Sequence, residues 1–178
     1  MRKIRNDELG RKTLDEFKSA NKTPLIIVLD NVRSLHNVGS VFRTADAFLC
    51  EAIYLCGITA CPPHREIQKT ALGATESVLW KYFNNTQDAL TELKSLGYHT
   101  VAIEQVEKAT PLNAFKPEPD KKYAFVFGHE VDGVDEKLFS LIDSFIEIPQ
   151  SGTKHSLNIA VSAGVVIWEY FRNYVEAD

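Results

Sequence analysis

Between Ile148 and Ala163 the chain reads IPQSGTKHSLNIAVSA, which joins an apolar strand end to a glycine turn and then to a helix. Junctions of this kind are where open α/β proteins hold ligands. Gln150, Ser151, Thr153, Lys154 and His155 crowd between two apolar runs, and Ser156 and Asn158 open the second run. Two other stretches carry side chains able to do chemistry: HNVGSVFRTADAF at 36–48, with Asn37 and Arg43, and FVFGHEVDGV at 125–134, with Glu130. A guanidinium can hold a phosphate or steady a developing negative charge. A carboxylate at a strand end needs hydrogen-bond donors, which backbone amides or Asn158 could supply.

Each residue also has a plain structural reading. Arg43 could pair with Asp46 three residues on. Asn37 and Ser156 are both good helix N-caps. Common nucleotide signatures are missing: no G-x-G-x-x-G follows a strand, SGTK at 151–154 has the wrong order for a phosphate loop, and Ser151 and Ser156 lack a G-x-S-x-G setting.

The elements that must position these groups alternate. A polar helix is expected over 7–20, then an apolar strand LIIVLD at 25–30. Val38, Val41, Phe42, Ala45, Phe48 and Leu49 recur with helical period. AIYLCG at 52–57 reads as a strand, EIQKTAL at 66–72 as a short helix and 79–83 as a further strand. Thr86 is the expected cap, and Gly97 the stop, of a helix leading into HTVAIEQ. YAFVFG at 123–128 and SFIEIP at 144–149 are strands around a short helix DEKLFSLI, and the last helix runs from Ser156 to about Val175. This pattern predicts an α/β fold, a mostly parallel sheet with helices on both faces. The last helix is apolar on more than one side. Leu157, Ala160, Val161, Gly164, Val165 and Trp168 form one stripe, and burial in the core or packing against a second subunit would both explain it.

Composition, 44% hydrophobic and 25% charged over 178 residues, fits a single globular unit. No apolar run approaches the roughly 18 residues of a membrane span, and MRKIRNDELGRK lacks a signal-peptide pattern, so a cytoplasmic protein is expected. Three cysteines argue against a disulfide framework. Cys50 and Cys56 flank one strand about 20 Å apart, too far to share a metal, so no metal site is expected. Net charge is −4, yet residues 1–22 carry seven basic and four acidic side chains. That stretch is either a solvated helix or a nucleic-acid handle.

Taken in order, Asn37, Gly39 and Arg43, then Gly128, Glu130 and Gly133, then Ile148, Pro149, Gly152, Ser156, Leu157 and Asn158 resemble the three motifs of the TrmH (SpoU) family of SPOUT-class RNA ribose methyltransferases. KTALGATE at 69–76 also looks like the family, whereas His129 stands where the family often has Asn. The resemblance implies a domain over 24–178 with a deep C-terminal trefoil knot, preceded by a basic helical extension over 1–23. It implies a homodimer that uses S-adenosyl-L-methionine to methylate a ribose 2′-hydroxyl of RNA, without a metal. Arg43, Asn37, Glu130, Ser156 and Asn158 would serve catalysis, with Gly39 leaving room for the substrate backbone beside Arg43. Gly128, Ile148, Gln150, Ser156 and Leu157 would hold the cofactor, with Gly128 letting it approach the chain. A compact chain with a helical extension favours tRNA over ribosomal RNA as substrate. A non-catalytic RNA-binding dimer and a small-molecule methyltransferase are the rivals.

Overall fold

The computed structural model describes residues 1–175. Residues 176–178, the end of the expected 24–178 domain, lie outside the described residues. Seven strands form one sheet: β1 (Thr23–Asp30), β2 (Cys50–Cys56), β3 (Leu79–Phe83), β4 (Tyr98–Ile103), β5 (Thr110–Pro111), β6 (Lys122–Phe127) and β7 (Ser144–Glu147). Their order is β3-β2-β1-β6-β4-β7-β5, and every pairing is parallel. The expected α/β class is therefore found.

Among the described residues six α-helices complete the fold: α1 (Leu14–Ser19), α2 (Leu35–Ala47), α3 (Arg65–Ala71), α4 (Ala74–Ser77), α5 (Thr86–Ser95) and α6 (Ile159–Val175). The apolar strands are buried on both sides, as parallel sheets require. On one face Leu25, Ile27, Leu29, Ile53 and Phe125 pack with Phe17 of α1, Val38, Val41 and Phe42 of α2, and Val166, Ile167 and Tyr170 of α6. On the other, Val28, Tyr54 and Val126 meet Ala89, Leu90 and Leu93 of α5 and Leu138 of the 3-10 turn Glu136–Leu141.

Several element boundaries differ from those expected, each for a local reason. The helix predicted over 7–20 is a 3-10 turn, Asn6–Leu9, then Gly10 in the left-handed region (φ 58°), then α1. Thr13 restarts the chain with a capping box: its hydroxyl takes the Glu16 amide while the Glu16 carboxylate takes the Thr13 amide. Thr86 does not cap α5. Asn85 does, through the Asp88 amide, and the buried Thr86 hydroxyl donates instead to Asp30. Phe48 and Leu49 fall beyond the end of α2, with Leu49 left-handed at φ 52°. Leu72 ends α3 in the same conformation, at φ 50°, which costs a side chain with a Cβ roughly 1–2 kcal/mol.

The first turns of α2 and α6 are also corrected. Ser34, not Asn37, caps α2, its hydroxyl accepting the Asn37 amide at 3.2 Å. The last helix begins at Ile159 rather than Ser156, because Asn158 supplies the cap: its Oδ1 accepts the amides of Ala160 and Val161 at 2.9 and 3.4 Å. One face of α6 (Ile159, Ala163, Val166, Ile167, Tyr170) is buried, while Leu157, Val161, Val165 and Trp168 of the apolar stripe are exposed. Among the described residues no helix is long and apolar enough to cross a membrane.

Candidate functional site

Strands β4, β6 and β7 lie together in the sheet and end on the same side, since all run parallel. The segments leaving them, Glu104–Gln105, Gly128–Gly133 and Ile148–Asn158, surround a cavity of about 400 Å³. Ile103, Phe127, Ile148, Leu157 and Ile159 supply apolar walls, with Glu104, Gln105, Glu130, Gln150 and Ser162 among the polar groups. Volume and lining match a pocket for a nucleoside-sized ligand. Every residue expected to bind a cofactor, Gly128, Ile148, Gln150, Ser156 and Leu157, lines this cavity, as do Glu130 and Asn158.

Hydrogen bonds tie the three motifs together. Asn158 Nδ2 donates to Asn37 Oδ1 at 3.1 Å, and Asn37 Nδ2 donates to Glu130 Oε1 at 3.4 Å. Glu130 also accepts the amides of Arg33 (3.0 Å) and Ser34 (2.9 Å). The 128–134 loop, the approach to α2 and the start of α6 are thereby held in register. Burial alone would raise the Glu130 carboxyl, but the Arg33 and Ser34 amides, with Asn37, outweigh it and hold the group below the usual carboxylate range. A carboxylate so fully engaged is a poor proton acceptor. Ser156 is exposed and, among the described residues, makes no side-chain hydrogen bond.

Two glycines leave room for neighbouring backbone. A Cβ on Gly128 would lie 2.1–2.2 Å from the backbone of Gly133 and Val134. That contact lets His129 and Gly133 exchange backbone hydrogen bonds at 3.0 Å and close the loop. A Cβ on Gly39 would lie 2.1 Å from Thr70 Oγ1 and 2.3 Å from the Ile67 carbonyl, so Gly39 gives room to α3, not to a substrate backbone. His129, the departure from the family pattern, turns its Nδ1 toward the amides of Val131 and Asp132, at 3.3 and 3.2 Å.

Arg43 stands apart. It is exposed, it does not pair with Asp46, and it lines a second cavity of about 560 Å³ beside the N-terminal segment. Asp46 instead accepts the Ser77 hydroxyl. One chain therefore brings Asn37, Glu130 and Asn158 together and leaves Arg43 outside their cavity.

Glu104 and Gln105 were missed by sequence reasoning. Glu104 Oε2 accepts the Val134 amide at 3.0 Å, bracing the 128–134 loop, and Gln105 Nε2 donates to the His155 carbonyl at 2.9 Å. The signal was a polar pair directly after the apolar run HTVAI, the feature that marks Gly128–Glu130 and Pro149–Gln150. Among the described residues no group of three or more His, Cys, Asp and Glu side chains is placed to hold a metal ion.

The model of the SpoU rRNA Methylase family matches residues 24–168. The chain belongs to this family. A family relative, the 23S rRNA (guanosine-2′-O-)-methyltransferase RlmB of Neisseria meningitidis serogroup B, is 30% identical over 161 residues, covering 90% of this chain and 63% of the relative. RlmB of Vibrio parahaemolyticus is 29% identical, covering 96% and 68%. The chain thus spans less than two thirds of the Neisseria relative. Among solved structures, the A. aeolicus TrmH/SpoU tRNA modifying enzyme aligns with a TM-score of 0.81 at 26% identity, covering 92% of this chain and 82% of that one. The AdoMet-bound rRNA methyltransferase from Sinorhizobium meliloti aligns at 0.79 and 26%, covering 85% and 57%.

Proposed function

We propose that the protein transfers the methyl group of S-adenosyl-L-methionine to a ribose 2′-hydroxyl of RNA. The observation that carries this reading is the Asn158–Asn37–Glu130 chain of hydrogen bonds, which joins the three family motifs at the rim of one cavity. The cavity fits the cofactor chemically. Ile148 and Leu157 offer apolar surface for an adenine, the backbone of 128–133 and 148–150 offers polar contacts, and the Glu104, Glu130 and Glu147 carboxylates suit a sulfonium charge. When bound there, the cofactor supplies an electrophilic methyl group.

The chain's own residues position and stabilise. A guanidinium stays protonated, so Arg43 cannot take the hydroxyl proton. It binds a phosphate beside the target ribose and steadies the incipient alkoxide. Glu130, held ionised by its amide donors, positions the loops, which leaves that phosphate or water as the proton acceptor. Asn37 and Asn158 set the start of α2, and so the aim of Arg43, against the cofactor loops. Ser156, free of a capping duty, faces the ligand.

Arg43 and the cofactor cavity lie apart within one chain, and α6 leaves Leu157, Val161, Val165 and Trp168 exposed. A homodimer packed through this stripe covers the apolar face and gives each cofactor cavity access to a second Arg43. The C-terminal knot stays part of this reading through the family match over residues 24–168. The substrate reading shifts from tRNA to ribosomal RNA, because the RlmB relatives that match 90–96% of this chain are named for 23S rRNA. Such a reaction belongs in the cytoplasm.

The test is incubation with methyl-labelled S-adenosyl-L-methionine and separate ribosomal and transfer RNA pools. Label in the ribosomal pool, lost with Arg43→Lys, supports the reading. Label in tRNA would restore the other substrate, and no label in either pool would overturn the activity.

A further inference from the structure

The loop that carries the Glu130 donors is held by a buried hydroxyl from another loop. Residues 31–34 join β1 to α2 and supply the Arg33 and Ser34 amides to Glu130, the Ser34 cap of α2 and the approach to Asn37. Thr59, three residues past the end of β2, is 2% exposed and lines neither cavity. Its Oγ1 accepts the Val32 amide at 2.9 Å and donates to the Leu29 carbonyl at 3.0 Å. Val32 is itself buried, so without Thr59 its amide has no water to turn to.

The rest of the junction makes that bond decisive. Asn31 turns the chain out of β1 in the left-handed region (φ 55°), and its Oδ1 secures the turn by accepting the Ile58 amide at 3.1 Å. Gly57 leaves the space for it, since a Cβ there would lie 2.1 Å from Asn31 Oδ1. Residues 31 to 34 are thus pinned in turn, by Ile58, by Thr59 and twice by Glu130. A shift at Val32 passes to the next amides, because peptide units are rigid planes.

We propose that Thr59 is a positioning residue for methyl transfer: through Val32 it sets the Arg33 and Ser34 amides on Glu130, and so the register of Asn37 and Arg43 against the cofactor loops. The assignment rests on the methyl-transfer reading for its effect on turnover, and on geometry alone for its hold on Glu130.

The test compares wild type, Thr59→Ser, Thr59→Cys and Thr59→Val as full chains. Shape favours valine, then cysteine, over serine; hydrogen-bonding strength favours serine, then cysteine, then valine. Turnover on ribosomal RNA should follow the second order, falling about tenfold or more in Thr59→Val, with KM for RNA and cofactor affinity within about twofold of wild type. The Glu130 carboxyl, followed by carbon-13 NMR across pH and assigned with Glu130→Gln, should keep its low titration point in Thr59→Ser. It should titrate progressively higher in Thr59→Cys and Thr59→Val, as the Arg33 and Ser34 amides withdraw. Thr100→Val is the control: it removes an equally buried hydroxyl, which donates to the Leu141 carbonyl at 2.8 Å, and should lower the melting temperature without moving turnover or the Glu130 titration.

Turnover that follows shape, or a Glu130 titration unmoved in Thr59→Val, would overturn the assignment, and with an active wild type either result leaves the methyl-transfer reading intact. If Thr59→Val does not fold, Thr59→Ser against Thr59→Cys decides by the same order. A wild type that transfers no methyl group, with the Glu130 titration still following that order, would sink the methyl-transfer reading and leave the hold of Thr59 on the loop standing.

Discussion

The Asn158 side chain donates to Asn37 at 3.1 Å across 121 residues of sequence, while its own oxygen caps the helix that follows. One amide thus fixes the start of α6 and, through Asn37 and Glu130, the start of α2. Removing it should cost twice. Asn158→Ala is expected to lose about 1 kcal/mol for the cap and a further 0.5–1.5 kcal/mol, roughly, for the link to Asn37. In a urea-unfolding double-mutant cycle with Asn37→Ala the second loss should appear as coupling; strict additivity would mean that the two asparagines act independently.

Glu130 gives a pH signature. Its carboxyl lies below its unfolded value, about 4.3, so it stabilises the fold above that value, and the contribution disappears as pH falls through the folded pKa. Glu130→Gln should therefore be less stable than wild type by a constant margin above about pH 5, with the margin closing on acidification below about pH 4. A margin that grew on acidification would show that Glu130 is protonated in the fold.

Gly39→Ala should destabilise by about 1–3 kcal/mol, because the new methyl meets a backbone carbonyl that cannot move aside cheaply. A Cβ on Gly152 meets nothing within 4 Å, so Gly152→Ala is the matched control and should leave the melting temperature near that of wild type. Equal melting curves for the two variants would contradict the packing of α2 on α3.

Arg43→Lys keeps the charge and loses the planar fork. Turnover should fall roughly 10²-fold, the scale of losing one stabilising donor, with cofactor affinity unchanged because Arg43 is assigned to the RNA phosphate rather than to the cofactor. Full turnover in this variant would remove Arg43 from its assigned place.

Trp168→Glu and Val165→Glu place charge on the exposed stripe of α6 without touching its buried face. Both should sediment as monomers and lose methyl transfer. Unaltered sedimentation would move the interface elsewhere.

The alternation of strands and helices was legible because apolar runs such as LIIVLD and YAFVFG are buried on both faces. Cap identity was not legible. Thr86, Asn37 and Ser156 are all good caps by type, and a neighbour one to three residues away took each position, because tertiary partners competed for the side chains: Asp30 for Thr86, Glu130 and Asn158 for Asn37. The residues expected to hold the cofactor line one cavity as a set, since they follow apolar strands. The separation of Arg43 from them was invisible, because six residues of helix turn it to another face. Gly39 makes room for α3, and Gly128 lines the cavity while also lying against Gly133, since close approach by a ligand and close approach by a neighbouring chain segment leave the same mark in a sequence.

The position of the transferred methyl group tests the central claim most directly. After reaction with a deuterated donor and ribosomal RNA, nucleosides are separated and fragmented in a mass spectrometer, which divides sugar from base. The account predicts the label on the sugar fragment of one nucleoside, as a 2′-O-methyl group. Label on a base fragment, or none transferred by a protein that binds the cofactor, would contradict it.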